Sequence, residues 1–291
     1  MREPVCYGSG DHQVWHGDAL EVLDIVPDSS CALVFADPPY NIGKRFKSFY
    51  DRWEDDASYV AWCKQWLDKC IDKLTPNGSL YVMSSTQCMP YLDAYLRCEI
   101  TILSRIIWHY DSSGVQARKY FGSLWEPILH CVKDAKDYVF NADDIKVSAK
   151  TGAQRKLIDY RKPVPTVYSS EKVPGNVWYF PRVRYRMAEF EDHPSQKPEA
   201  LLERIIRASS NEGDTVLDPF SGTYTTSAVA QHLGRRSIGI ELAEDYVGVA
   251  LRRLGLATEL NGQVLEPIKK STARRNGVKT SLRLSGSEQL F

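Results

Sequence analysis

Several absences narrow what this 291-residue chain can be. No apolar run approaches the ~20 residues that a membrane-spanning helix needs, so no membrane partner is expected. Met1 to Gly10 carries no apolar core, so no secretory signal is expected. There is no Cys-x-x-Cys pair among the seven cysteines, Cys6, Cys31, Cys63, Cys70, Cys88, Cys98 and Cys131. An odd count without a secretory signal points to reduced thiols of a cytoplasmic protein, not to a disulfide framework or a zinc site. Cys63 and Cys70 have the spacing of one helix face and are expected to be small buried hydrophobes. The chain also lacks the Gly-x-Gly-x-x-Gly turn of dinucleotide enzymes and a phosphate loop with its lysine. It has no internal repeat. Net charge is absent too, with 37 basic and 37 acidic residues, which at first sight argues against a nucleic-acid partner.

The distribution of charge reverses that impression. Between Ile145 and Met187 stand Lys146, Lys150, Arg155, Lys156, Arg161, Lys162, Lys172, Arg182, Arg184 and Arg186, opposed only by Asp159 and Glu171. From Pro267 to Ser287 come Lys269, Lys270, Arg274, Arg275, Lys279 and Arg283, with no acid. Segregated positive charge is what phosphate contacts require, although a solvated basic face is the commoner meaning of such runs.

What is present is an alternation of strands and helices. Val14–Gly17 is a short candidate strand, and Asp18–Ile25 has helical apolar spacing. Cys31–Ala36 is a continuous apolar run, the signature of a parallel strand buried on both faces. Pro38 and Pro39 must end it, because proline cannot donate to a central ladder. Ser58–Leu74 and Met89–Cys98 read as helices around a Ser79–Met83 strand, and Ile100–His109 as a strand or strand pair. Asp111–Glu191 lacks clear periodicity and is expected to be an insertion. Regular signals resume with helix Pro198–Ser209, whose Leu201, Leu202, Ile205 and Ile206 should face inward. Strand Thr215–Leu217, helix Thr225–Leu233, strand Ser237–Ile240 and helix Glu244–Leu254 follow. The alternation implies an α/β fold with a doubly wound, mostly parallel, Rossmann-like sheet. Its catalytic part is expected at 1–110 and 193–262, with an insertion at 111–192 and a basic tail at 263–291.

Three acids close three candidate strands: Asp37, Asp218 and Glu241. Ligands of open α/β sheets bind at the carboxyl ends of strands, so these acids should face one crevice. Asp37-Pro38-Pro39-Tyr40 supplies a carboxylate, a backbone carbonyl held rigid by the following proline, and an aromatic face. An exocyclic base amine is a poor nucleophile because its lone pair is delocalised into the ring. Two acceptors that hold its N–H groups let the nitrogen pyramidalise, and a base stacked on an aromatic ring gains ~1–3 kcal/mol. Asp-Pro alone would be no more than a strand-ending turn. Asp218-Pro219-Phe220-Ser221-Gly222-Thr223 is a small turn that lets backbone approach a nucleoside closely. Glu241 could take two ribose hydroxyls, or cap a helix. In His193-Pro194-Ser195-Gln196-Lys197-Pro198, Ser195 and Lys197 could hold a carboxylate at a helix N-terminus.

Together these residues resemble the β class of S-adenosylmethionine-dependent DNA amino-methyltransferases, where the base-pocket motif precedes the target-recognition region and the other motifs follow it. The resemblance covers about residues 12–255 and is closest to solitary adenine-N6 methyltransferases of bacteria, plasmids and phages. It implies S-adenosylmethionine as cofactor and double-stranded DNA as partner, with a homodimer allowed. A cytoplasmic, nucleoid-associated protein is expected. By the resemblance, Asp18 in His16-Gly17-Asp18 lies near the cofactor adenine, and Asn176-Val177-Trp178 is a further family feature. Asp37 opening the motif goes mostly with adenine, a serine there with cytosine. The family usually has a second glycine where this chain has Tyr224, so that side chain must point away from the cofactor or cover it.

The expected reaction is direct methyl transfer to adenine N6 of a flipped-out base. Asp37 and the Pro38 carbonyl would bind the amine, with Tyr40 under the ring. Asp18, Ser195, Lys197, Asp218, Phe220, Ser221, Gly222, Thr223 and Glu241 would bind cofactor. Arg155, Lys156, Arg161, Lys162, Arg182, Arg184 and Arg186 would bind DNA, with the last three projecting to one face of an extended segment. The basic tail should add phosphate contacts only. No Pro-Cys dipeptide occurs, which excludes cysteine-dependent methylation at cytosine C5. No metal is required, because a sulfonium is already an activated leaving group. The alternatives are cytosine-N4 methylation, an RNA base methyltransferase, and a catalytically silent DNA-binding protein on the same fold.

Overall fold

A computed structural model describes residues 3–8, 10–45, 50–111, 118–149, 156–161, 163–257, 259–260 and 263–264. Its centre is a nine-stranded sheet. In chain order the strands are β1 (Val5–Tyr7), β2 (His12–His16), β3 (Cys31–Ala36), β4 (Leu74–Met83), β5 (Thr101–His109), β6 (Trp125–Val132), β7 (Val177–Tyr179), β8 (Thr215–Asp218) and β9 (Arg236–Glu241). Across the sheet they run β1-β2-β9-β8-β3-β4-β6-β5-β7. Only β1 and β6 run against the rest, so the sheet is mostly parallel, as expected.

Helices cover both faces. The helices are α1 (Ala19–Ile25), α2 (Asp56–Lys73), α3 (Met89–Glu99), α4 (Glu199–Ser209), α5 (Thr225–His232) and α6 (Glu244–Leu254). Asp18 and Asp55 start α1 and α2 by accepting the Leu20 and Ser58 amides at 2.8 and 2.7 Å, satisfying donors that a helix N-terminus leaves free. Gly255, at φ +67°, ends α6 in the left-handed conformation that glycine adopts without strain. Every residue of β3 is buried, and alternate side chains serve opposite layers. Val34 and Ala36 pack with α1, α2 and α3, while Leu33 and Phe35 pack with α4 and α5. Leu201, Leu202, Ile205 and Ile206 of α4 are all buried, each stabilising by about 1.5–3 kcal/mol. Cys63 and Cys70 are core residues, and no described helix is long and apolar enough to cross a membrane.

The 111–192 segment is less of an insertion than its sequence suggests. It contributes β6, which lies between β4 and β5, and the edge strand β7, which carries Val177 and Trp178. Pairing with strands distant in sequence holds this stretch, so local periodicity does not reveal it. Between β6 and β7 the chain forms short antiparallel ladders, Val147–Ser148 with Glu171–Lys172 and Ile158–Asp159 with Thr166–Val167.

Candidate functional site

The carboxyl ends of β2, β3, β8 and β9 open into one cleft of about 500 Å³. Every residue expected to serve chemistry or cofactor lines it: Asp37 to Tyr40, Asp18, Ser195, Lys197, Asp218, Phe220 to Thr223 and Glu241. The β3–β8 boundary is where the strand order changes direction, the place where open α/β sheets bind ligands.

The loop after β3 is held from below. Asp51, 1% exposed, accepts the backbone amides of Tyr40, Asn41 and Ile42 at 3.3, 2.6 and 3.3 Å. The Tyr59 hydroxyl donates to the Pro39 carbonyl at 2.8 Å. The Pro38 carbonyl accepts from none of the described residues and so remains available to a ligand. Asp37 carries two partners. Its Oδ1 accepts the Tyr40 hydroxyl at 2.6 Å, and its Oδ2 meets Lys197 Nζ at 2.7 Å. Burial raises the Asp37 pKa, and the neighbouring Glu126 adds to this against the opposing pull of Lys197. Burial disfavours the Lys197 ammonium, but Asp37 and Glu126 together outweigh it and raise its pKa. Lys197 therefore stays charged against Asp37. The sequence pattern assigns Lys197 to the cofactor; its ammonium meets the Asp37 and Glu126 carboxylates and donates to the Ser195 carbonyl at 3.3 Å. It also lies 5.4 Å from the Tyr40 ring centroid, so a base stacked on Tyr40 must use the face that Lys197 leaves open.

The turn between β8 and α5 is built from its own hydrogen bonds. Asp218, 3% exposed, accepts the Phe220 amide at 3.0 Å and the Thr226 hydroxyl at 2.5 Å. Ser221 Oγ donates back to the Asp218 carbonyl at 2.9 Å. Asp218 and Ser221 thus shape the turn. Glu241 reaches across from β9, accepting the Gly222 amide at 2.8 Å and the Ala243 amide at 2.7 Å. Burial raises both Asp218 and Glu241 to about 7. Gly222 has φ +50°, and a Cβ there would come within 3.2 Å of the His193 ring. A glycine turn beside the half-buried Glu241 carboxylate suits a nucleoside, since the backbone can approach and the acid can accept hydroxyl hydrogen bonds. Ser195 lines the cleft, with its amide donating to His193 Nδ1 at 3.2 Å.

Tyr224 points away from this cleft. Its backbone keeps a glycine-like φ of +57°, while its fully buried ring packs with Val14, Val247, Ala250 and Leu251. The hydroxyl donates to the Trp15 and Gly239 carbonyls at 3.2 and 3.3 Å. The neighbouring Gly239 makes the room: a Cβ there would lie 2.4 Å from the tyrosine ring. Gly239→Ala is therefore expected to lower stability by about 1–3 kcal/mol through overpacking. Urea denaturation should show a lower midpoint with an unchanged slope; an unchanged midpoint would mean that the ring yields freely.

The basic residues separate. Arg182 lines the cleft, its guanidinium 5.2 Å from the Tyr110 ring centroid. Arg184 reaches Asp111 at 3.7 Å, and Arg186 sits at φ +75° in a turn, near Tyr185. The three do not share one strand face, because no ladder holds them extended. Arg161 makes a two-pronged pair with Asp159 at 2.8 and 3.0 Å, and Lys156 is exposed. Arg155, Lys162, Lys150 and the tail beyond residue 264 lie outside the described residues. Sequence reasoning missed Glu126, Tyr110, Lys44, Trp53 and Trp62, which also line the cleft.

Comparison with known proteins agrees with this geometry. Residues 31–252 match a family model for N6/N4 methyltransferases described as DNA methylase. The chain is 54% identical over 268 residues to DNA adenine methyltransferase YhdJ of Escherichia coli strain K12, covering 92% of this chain and 91% of that protein. Among solved structures it resembles the cytosine-N4-specific PvuII DNA methyltransferase, with a TM-score of 0.65 at 19% identity over 88% of this chain and 90% of that one. It also resembles M1.HpyAVI solved as a complex with SAM, with a TM-score of 0.56 at 25% identity over 83% of this chain and 99% of that one.

Proposed function

The chain belongs to the N6/N4 DNA methylase family, and we propose that its cleft transfers the methyl group of S-adenosylmethionine to adenine N6 at a specific sequence in duplex DNA. The observation that carries this reading is the opening of the Asp37–Tyr40 loop and the Glu241–Gly222 turn into the same cleft. The first suits an amine and the second a nucleoside. S-adenosylmethionine, when bound, supplies a methyl group already activated on a sulfonium. The chain does the rest by placement: Glu241 and the Gly222 turn hold the nucleoside, and Asp37 with the Pro38 carbonyl receives the two N–H groups of a base extruded from the duplex. Tyr40 supports the ring. Aspartate at position 37 and the adenine specificity named for the 54% identical relative both favour adenine.

The segment between β6 and β7 would read sequence. In and beside its ladders Leu157, Ile158, Tyr160, Val164 and Val167 are exposed, and beyond β7 Arg182 lines the cleft. The protein would act in the bacterial cytoplasm on nucleoid DNA, as a monomer or a homodimer. Single-molecule sequencing of DNA from cells expressing the protein checks the reading. N6-methyladenine at one recurrent motif is expected. N4-methylcytosine at such a motif, or no new modified base, would overturn it.

A further inference from the structure

Glu126, near the start of β6, stands beside Asp37 although no motif marks it. β6 runs against its neighbours, so its beginning lies at the same end of the sheet as the carboxyl ends of β3 and β4. Glu126 Oε2 lies 3.1 Å from the Tyr40 hydroxyl and 3.5 Å from Lys197 Nζ. Oε1 accepts the Tyr110 hydroxyl at 3.4 Å. The two groups bound to Asp37, the Tyr40 hydroxyl and the Lys197 ammonium, thus both face Glu126 as well. Two carboxylates share one ammonium and one phenol in a largely dehydrated corner, where the Asp37 and Glu126 side chains are each 16% exposed.

We propose that Glu126 is a positioning residue for methyl transfer: by sharing Lys197 and Tyr40 with Asp37, it keeps the Asp37 carboxylate able to take the proton that the methylated amine must release. The inference rests on the base-pocket role proposed above for Asp37. The amine nitrogen takes the methyl carbon, leaving the bonding pair on sulfur. The nitrogen then carries a positive charge and two hydrogens. One N–H bond breaks, its pair stays on nitrogen, and the proton goes to an Asp37 oxygen. Asp37 becomes neutral at that moment and loses its hold on Lys197. With Glu126 present the ammonium keeps a counter-charge, and the Tyr40 hydroxyl can swing to Oε2. Without it, Asp37 would be the one carboxylate among the described residues paired with Lys197, whose other partner is the neutral Ser195 carbonyl at 3.3 Å. The ammonium would then resist the protonation and compete with the amine for the carboxylate.

The groups that set this balance come from several elements. They are Asp37 and Tyr40 after β3, Tyr110 after β5, Lys197 before α4, and Asp218 at the end of β8. Lys44 and Arg182 add positive charge nearby. Removing the Glu126 charge makes Asp37 ionise more readily, because its negative neighbour is gone.

The test is single-turnover methyl transfer by the full chain with S-adenosylmethionine and duplex DNA carrying the target motif, across pH, for wild type, Glu126→Gln and Glu126→Asp. For Glu126→Gln the transfer rate constant should fall ~10–100-fold, the scale of assistance from a positioned proton acceptor. KM for both substrates should stay within about threefold, the pattern of a group that acts in the transition state. The acid limb of the rate profile should move to lower pH. Glu126→Asp keeps the charge and should keep the wild-type limb while recovering part of the rate. An undiminished rate in Glu126→Gln, or a loss with the limb unmoved, would overturn the assignment. Should the glutamine variant fail to fold, a displaced limb in the aspartate variant would overturn it and an unmoved limb would support it. A wild type that methylates no base would count against the function itself, not against Glu126.

Discussion

Asp37→Asn is expected to slow methyl transfer by roughly 10²–10⁴-fold, while leaving S-adenosylmethionine affinity within about threefold of wild type. The asparagine has nearly the shape of aspartate but neither its charge nor its second acceptor. Lys197 would lose the contact at 2.7 Å and keep Glu126 at 3.5 Å and the Ser195 carbonyl at 3.3 Å, and the amine would lose its proton acceptor. The Phe220–Gly222 turn proposed to hold the cofactor is anchored separately, by Asp218 and Glu241. Rapid-quench measurement with labelled methyl groups gives the rate, and calorimetry gives the affinity. Transfer at a near wild-type rate would remove Asp37 from the chemistry.

Glu241→Gln should weaken S-adenosylmethionine binding by about 1.5–3 kcal/mol, the usual worth of hydrogen bonds to a charged group, and should alter its pH dependence. Burial puts the Glu241 carboxyl at about 7. Ribose hydroxyls donate to the ionised form, so binding favours loss of the proton. Affinity should therefore fall as pH drops through about 7 and level off above it. The glutamine variant should lose most of this slope. Any remainder belongs to Asp218, which also titrates at about 7 and acts by shaping the turn through Phe220 and Thr226. A pH-independent affinity in wild type, or an unchanged affinity in the variant, would separate Glu241 from the cofactor.

The parts of this molecule that are readable in the sequence are those whose causes are local. Cys31–Ala36 is apolar throughout because both of its faces are covered, and the prolines after it end the strand where the cleft begins. The three strand-end acids meet because parallel strands bring their carboxyl ends to one edge. The rest depends on distant partners. Trp125-Glu126-Pro127 does not resemble a central strand, yet pairing with β5 holds it in one. Lys197 stands two residues after Ser195 and donates to its carbonyl, but its nearest anion is Asp37, which only the fold brings there. Tyr224 in place of a glycine makes sense only beside Gly239, which leaves its ring a place. The arginines 182, 184 and 186 alternate in sequence without a ladder to make the alternation matter.

The central claim is that this one cleft joins a sulfonium methyl group to an exocyclic base nitrogen held by Asp37. The most direct measurement uses purified protein, S-adenosylmethionine labelled with ¹³C in its methyl group, and duplex DNA carrying ¹⁵N at adenine N6. After digestion to nucleosides, the wild type should yield N6-methyladenine with a one-bond ¹³C–¹⁵N coupling, and Asp37→Asn should yield almost none. Label found on a ring carbon or on cytosine, or equal incorporation by the two proteins, would contradict the account.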